Sequence, residues 1–415
     1  TMESKNIDKA TQPFINNEIP HGWEVSLLDN LTKRGSGHTP DKEFEEYYNG
    51  GIKWISLADS YRLDKGVISE TEIEISELGI KKSSAVIHPA GTVLMSRDAG
   101  VGKSAVMGID MSVSQHFIVW RCLEKLDNWF LYYWLQYKKE YFERQAVGST
   151  IKTIGLPLFK KLTILHPKYK EQRAIAHLLL KWDEAITKTQ SLITQKELRK
   201  KWLMQHLLTG KKRVKGFEGE WKEYSYNKLL KIVKRPVIWN DNELYNLISV
   251  RRRSGGIFLR EALYGHQIKV KDLRSVNEGD FLFSKMQILH GASALVTKEF
   301  AGAKISGSYI DVVAKDPQIL NMEYFNWYTK NPYFYHQTYI SSYGVHIEKM
   351  TFDFETFLSL EMNLPSIEEQ IAIVQVLQAA DKEIQLLKAK VEKLKEQKKG
   401  LMQVLLTGKK RLKID

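Results

Sequence analysis

Residues 171–215 read EQRAIAHLLLKWDEAITKTQSLITQKELRKKWLMQHLLTGKKRVK, and residues 369–413 read EQIAIVQVLQAADKEIQLLKAKVEKLKEQKKGLMQVLLTGKKRLK. A constant offset of 198 aligns the two without a gap, 20 of the 45 positions are identical, and LLTGKKR recurs whole. A long internal period marks a duplicated unit. The stretches between the copies are far less alike. A fixed frame carrying two variable modules is the simplest reading.

In the second copy apolar residues recur in steps of four and three, apart from one polar place at Lys398: Ile373, Leu377, Ala380, Ile384, Leu387, Val391, Leu394, Leu401 and Leu405. This is a heptad seam, which predicts a helix that pairs with another helix. The first copy keeps Ile175, Leu179, Trp182, Ile186, Ile193, Leu203 and Leu207 but puts Thr189, Lys196 and Lys200 in the seam. Lys200 and Lys398 occupy equivalent places, and a seam lysine fixes register at a cost in stability. Each helix would run about 40 residues, roughly 60 Å. A pseudo-twofold relation between the halves makes the pair antiparallel. Pro167 and Pro365 stand just ahead of the helix starts, and Gly210 and Gly408 stand where a left-handed cap is expected.

The echo continues outside the helices. Trp23 and Trp221 share the offset and each opens a globular segment, about 20–165 and 216–363. Strand-like runs fall at 52–57, 92–96 and 117–121, then at 247–251, 281–285 and 309–314. WISL at 54–57 resembles LISV at 247–250, and AGTVLMSR at 90–97 resembles EGDFLFSK at 278–285. Each segment then passes through a helical aromatic stretch, 128–142 and 323–336. The expected class is α/β (α+β), with two globular domains separated by two long antiparallel coiled-coil helices. The expected boundaries are 1–165, 166–213, 214–363 and 364–415.

The 415 residues carry 62 Lys and Arg against 49 Asp and Glu, a net charge of +13. That balance favours a polyanionic partner, above all a phosphate backbone. A 43% hydrophobic content argues against bulk disorder. One cysteine, Cys122, excludes an internal disulfide or a cysteine zinc cluster. No signal peptide or apolar run of membrane-spanning length stands out, so the cytoplasm is the expected compartment and no membrane partner is expected.

These features resemble the specificity (S) subunit of type I restriction–modification systems. The resemblance rests on Gly22-Trp23, its echo GFEGEW at 216–221, Pro-x-x-x-Glu-Gln at each helix start and LxxxLLTGKKR at each helix end. It implies two target-recognition domains, each reading half of a split asymmetric DNA site, with the helices as a ruler for the unread gap. It implies no catalytic centre in this chain. Double-stranded DNA, two methyltransferase (M) subunits and two restriction (R) subunits are the implied partners. S-adenosylmethionine, ATP and Mg would sit on those subunits, and no cofactor on this one.

Two motifs that imitate catalytic signatures fail on inspection. Gly100-Val-Gly-Lys-Ser104 looks like a phosphate loop, but the required earlier glycine falls on Arg97. Asn331-Pro-Tyr-Phe334 imitates an amino-methyltransferase tetrapeptide but has Tyr333 where a second proline belongs. The 11 histidines show no metal-ligand spacing.

The candidate DNA contacts are loop residues. Arg251, Arg252 and Arg253 follow a strand and lead into glycines, presenting guanidinium groups suited to guanine edges or phosphate. Lys285, Gln287 and His290 follow another strand, with Gln287 suited to adenine. Arg97 and Lys103, Lys152 near the end of the first domain, and His346 near the end of the second complete the set. The twice-occurring basic tails, Lys211, Lys212 and Arg213 with Lys409, Lys410 and Arg411, are the expected subunit-docking surfaces. A structural coiled-coil adaptor, or the specificity portion of another DNA methyltransferase or nuclease, is the alternative reading.

Overall fold

The computed structural model describes residues 19–150, 152–347 and 350–413. The chain forms two compact units, one of Thr1–Thr189 with Lys390–Asp415 and one of Gln190–Ala389. These divide the chain within the helices, not at the boundaries expected from sequence. Each unit therefore takes part of both helical copies.

The helices are Tyr169–Leu207 and Ile367–Leu405, 39 residues each. Both end at glycines with positive φ, Gly210 at 71° and Gly408 at 69°. A side chain at Gly408 would come within 2.6 Å of Pro20 Cγ, so the position excludes more than left-handed strain.

Within each unit the helical stretches run antiparallel. In the first unit Glu171 pairs with Arg411 and Asp183 with Lys398, partner numbers falling as residue numbers rise. In the second unit Lys196 pairs with Glu383, Lys200 with Asp381 and Arg213 with Glu369. The apolar contribution concentrates near the globular parts. Ile175, Leu179, Leu405 and Leu406 are buried in the first core, and Ile373, Leu377, Leu207 and Leu208 in the second. Burying one such side chain contributes roughly 1.5–3 kcal/mol.

The globular parts share one plan. In the first, Thr32–Ser36, Phe117–Cys122, Val93–Ser96 and Ser104–Met107 lie in that order in one sheet; a second sheet orders Ile73–Ile75, Tyr48–Ile55, Met111–Val113 and Ile87–His88. In the second, Leu230–Ile232, Tyr309–Ala314, Phe281–Ser284 and Ser293–Leu295 repeat the first arrangement, and Ile257–Tyr264, Leu244–Val250, Lys304–Ser306 and Leu273–Ser275 repeat the second. The parallel pair of the second sheet recurs too, Trp54 beside Ser112 and Leu247 beside Lys304. An opening strand pairs with a closing one in each, Trp23–Leu27 with Thr163–Pro167 and Lys222–Ser225 with Glu361–Leu364. The differences are additions: Val67–Ile68 extends the first sheet, and a small ladder, Ser342–Tyr343 with Thr351–Phe352, follows in the second.

The aromatic stretches are each two helices, not one. Asn128–Tyr137 is followed by Lys139–Gln145, and Met322–Tyr328 by Pro332–Ile340. Pro332 enforces the second break, because it cannot donate within a continuing helix. Asp127 and Asn321 cap the leading helices, accepting from the amides of Phe130 and Tyr324.

A buried glutamine fastens each helix start to its globular part. Gln172 accepts from the Asp127 amide at 2.8 Å and donates to the carbonyls of Lys125 and Pro167. Gln370 accepts from Asn321 at 2.9 Å and donates to Ile319 and Pro365. Both side chains are wholly buried, so each needs all these partners.

Candidate nucleic-acid interface

In the second unit the strand Leu244–Val250 runs into Arg251, Arg252 and Arg253, all exposed. The loop is pinned. Arg253 and Ser254 hold φ of 56° and 52°, a pair of positive angles of the type I′ kind, closed by Gly255 N–H donating to Arg252 O. Neither residue favours that region, and it costs on the order of 1–3 kcal/mol per residue. Backbone bonds hold it there: Arg253 N–H to His290 O at 2.6 Å and Ser254 N–H to Gly291 O at 2.8 Å. Gly291, at φ 73°, allows the approach, since a side chain there would meet Tyr335 Oη at 2.4 Å.

The loop, the His290 turn and the helix Pro332–Ile340 thus enclose a cleft of about 590 Å³ lined by Arg252, Arg253, Ser254, His290, Tyr335, Lys200 and Lys330 among others. Ser254 Oγ and Tyr335 Oη lie 2.9 Å apart. Burial, and then the nearby Lys200 ammonium, hold the Lys330 ammonium below the usual lysine range. Like charges crowded in a half-buried cleft favour an anion, which would relieve the repulsion. Lys330, Tyr335 and Lys200 were not among the sequence candidates. Lys200 stood out only as a seam lysine, and Lys330 and Tyr335 were hidden inside an aromatic stretch.

The other candidates divide. Arg251 lies over the Phe258 ring at 4.4 Å, which holds its guanidinium beside the strand Ile257–Tyr264. Lys285 is backbone-tied, donating to Ser308 O and accepting from Phe352 N–H. Gln287 turns its carboxamide oxygen inward, where it meets no partner among the described residues. His346 is exposed on the late loop.

In the first unit Arg97 occupies the place of Lys285. Its amide donates to His116 O and its carbonyl accepts from Ile154 N–H, as Lys285 accepts from Phe352. The late loop closes over it through the Asp98–Thr153 bridge, which brings exposed Lys152 near. Lys103 turns inward and donates to Ser60 O and Oγ at 3.2 and 3.0 Å. Asp98 accepts from or pairs with His116 Nδ1 at 2.8 Å. A separate cleft of about 600 Å³, lined by Lys42, Tyr48, Trp54, Gln115 and His116 among others, was not anticipated.

Of the tail residues, Arg213 and Arg411 are occupied internally. Arg213 Nε donates to Glu369 Oε1 at 2.6 Å, with its guanidinium 5.8 Å from the Trp221 ring. Arg411 forks onto Glu171, donates to His21 O, and lies 6.0 Å from the Trp23 ring. Lys212 lies over Trp202 at 4.9 Å; Lys211, Lys409 and Lys410 are exposed. Among the described residues no cluster of His, Cys, Asp and Glu could hold a metal ion, and no helix is long and apolar enough to cross a membrane.

A module repeated twice on one sheet plan, each carried on a helical copy and differing in its loops, defines the class. The family model for the type I restriction modification DNA specificity domain matches residues 20–195 and 218–396, so the chain belongs to that family. The MjaVIII type I restriction enzyme specificity subunit of Methanocaldococcus jannaschii is 22% identical over 95% of this chain and 94% of its own. The MjaIX specificity subunit of the same organism is 25% identical over 65% of this chain and 67% of its own. In fold, the HsdS subunit of Thermoanaerobacter tengcongensis superposes with a TM-score of 0.55 at 16% identity, covering 95% of this chain and 99% of that one. A chain from a study of type I R-M complex assembly and conformational transition superposes at 0.60 and 15%, covering 94% and 99%.

Proposed function

We propose that this chain is the non-catalytic specificity subunit of a type I restriction–modification complex and reads a split, asymmetric DNA site. Each globular part reads one half-site, and the paired helices set the unread gap. The observation that carries this is the pair of specificity-domain matches, at 20–195 and 218–396, on one sheet plan with different loops. A shared plan suits two readings of the same kind, and divergent loops suit two different half-sites. In the second reader the cleft of Arg252, Arg253, Lys200 and Lys330 takes backbone phosphate, which positions the duplex, while neighbouring loop side chains meet base edges. In the first, exposed Lys152 near the Arg97 turn serves the same end.

Two methyltransferase subunits carrying S-adenosylmethionine, and two restriction subunits using ATP and Mg, complete the assembly in the cytoplasm. This chain supplies no step of their chemistry; it selects and orients the DNA.

Mapping methylated bases after co-expression with the methyltransferase subunit tests the reading. The expected result is one bipartite motif with a fixed gap. Exchanging residues 214–363 for those of another family member changes one half-site alone. Methyl transfer by the isolated chain, or an undivided motif, overturns it.

A further inference from the structure

The two readers repeat a turn at one matched place. Arg97 N–H donates to His116 O at 2.9 Å, and Lys285 N–H donates to Ser308 O at 3.0 Å. One residue on from each turn, Asp98 stands against Met286, and the two acceptors set His116 against Ser308. The backbone is the same and the side chains are not. In the second unit this place holds an exposed methionine and an exposed serine; in the first it holds a carboxylate–imidazole pair.

The pair in the first unit is held from several sides. Asp98 Oδ2 lies 2.8 Å from His116 Nδ1, and Arg97 Nε lies 3.8 Å from Asp98 Oδ1. Asp98 also bridges to Thr153 on the late loop, beside exposed Lys152. A carboxylate only accepts, so Nδ1 carries the hydrogen of that bond, and Nε2 of the neutral ring is an acceptor. The His116 side chain is 33% exposed, and its Nε2 makes no hydrogen bond among the described residues.

Gln115 stands beside it. Its side-chain oxygen accepts from Thr39 Oγ1 at 2.5 Å, which leaves the amide N–H groups as donors on an exposed side chain. Both residues line the cleft of about 600 Å³ in this unit. Buried Trp54 and half-buried Tyr48 line it too, their rings 6.5 Å apart and edge to face. Ser114 is 1% exposed and lines the same cleft, and its hydroxyl has no partner among the described residues. A buried hydroxyl left unpaired is costly, which favours a guest with a polar edge.

We infer that this cleft reads an A·T pair in the first half-site, His116 Nε2 accepting from the adenine amino group and the Gln115 amide donating to adenine N7. The inference rests on the proposed function above and names the specificity-determining residues of one reader. One acceptor beside one donor matches the major-groove edge of adenine alone. Guanine shows two acceptors, cytosine one donor, and thymine one acceptor and a methyl group. Asp98 is a positioning residue: it holds the ring and its tautomer. The adenine is read while stacked, so it is not the base extruded for methylation. Met286 and Ser308 at the matched place of the second unit offer no such pair, which suits an unlike half-site.

The test is the methylated motif. The full chain is co-expressed with its methyltransferase subunit and the motif mapped; the first half-site is the one that survives exchange of residues 214–363. His116→Leu and Gln115→Leu each relax the same A·T position, by about fivefold or more, and leave the second half-site and the gap unchanged. Asp98→Asn relaxes it too, because the new amide donates to Nδ1 and turns Nε2 into a donor. A merely structural tie leaves the motif as it was. Duplex binding by the purified complex then assigns the atoms. Purine at that position lacks the amino group; it weakens wild type by about fivefold or more and His116→Leu no further, and 7-deazaadenine does the same for Gln115→Leu. An unchanged motif in either leucine variant overturns the inference, as does relaxation at two different positions or in the second half-site. If far-UV circular dichroism shows His116→Leu unfolded, Gln115→Leu, on an exposed side chain, decides alone. A wild-type first half-site without an A·T pair overturns the inference and leaves the proposed function standing. A wild-type complex that yields no bipartite motif sinks the proposed function itself.

Discussion

The two readers share their strand order and differ in what the strand ends carry. At the first, the cations of the Arg97 turn are engaged within the unit: Arg97 lies 3.8 Å from Asp98, and Lys103 donates to Ser60. At the second, Arg252 and Arg253 are exposed on a strained, backbone-pinned loop, with Arg251 laid over Phe258, and two lysines from other elements join the first two. The same difference reaches the core. Leu94 pairs with Val119 in the first reader, and at the equivalent step Leu282 pairs with Asp311 in the second. Duplication has kept what folds and released what reads.

The comparison breaks most readily at the fastening glutamines. Gln172→Ala and Gln370→Ala each strand a buried amide and two buried carbonyls, at about 1–3 kcal/mol per unsatisfied group. Urea unfolding is expected to show a loss of about 3 kcal/mol or more for each, and similar in size. A large inequality would mean the frame is not truly repeated.

The readers should part company on DNA. Arg252→Gln with Arg253→Gln is expected to weaken binding about tenfold or more and to flatten the salt dependence by up to about two phosphate contacts, each near 0.9 in slope. Lys103→Gln should change neither by a measurable amount. Binding titrations across a salt series check both, and an unchanged slope in the arginine variant removes the cleft from the interface.

The smallest effect is in pH. Arg235 forks onto Asp280 and also reaches Asp311, so two buried carboxylates share one guanidinium. Burial, then repulsion from Asp280, push the Asp311 carboxyl up to about 7. A folded-state value above the ordinary carboxylate range favours the protonated, folded form. Its contribution is full in acid and falls as pH rises from about 4 through 7. Asp311→Asn should flatten the stability of the second unit over that window. The first reader, with Val119 at that place, should show no such slope.

Much of this was legible in sequence. The helices, their caps, their antiparallel sense and six strand-like runs follow from the heptads, the glycines and the offset, because these are local or periodic signals. The loops are another matter. Arg252, Arg253 and His290 were singled out by type, but Lys200, and Lys330 with Tyr335, come to them from two distant stretches, and no period links those. Lys103 looked free on paper because nothing in its neighbourhood names Ser60. The arginines of the tails looked like docking groups because their acidic partners lie 156 and 240 residues away.

Because the first unit combines Thr1–Thr189 with Lys390–Asp415, it cannot be completed in chain order. At about 5–20 residues per second the ribosome needs roughly 10–40 s to make the 200 intervening residues. Throughout that interval Ile175 and Leu179 lack Leu405 and Leu406. The nascent protein waits with a bare apolar stripe, while the second unit, contiguous in sequence, is free to close first. Chaperone capture during translation should therefore fall on the earlier half of the polypeptide.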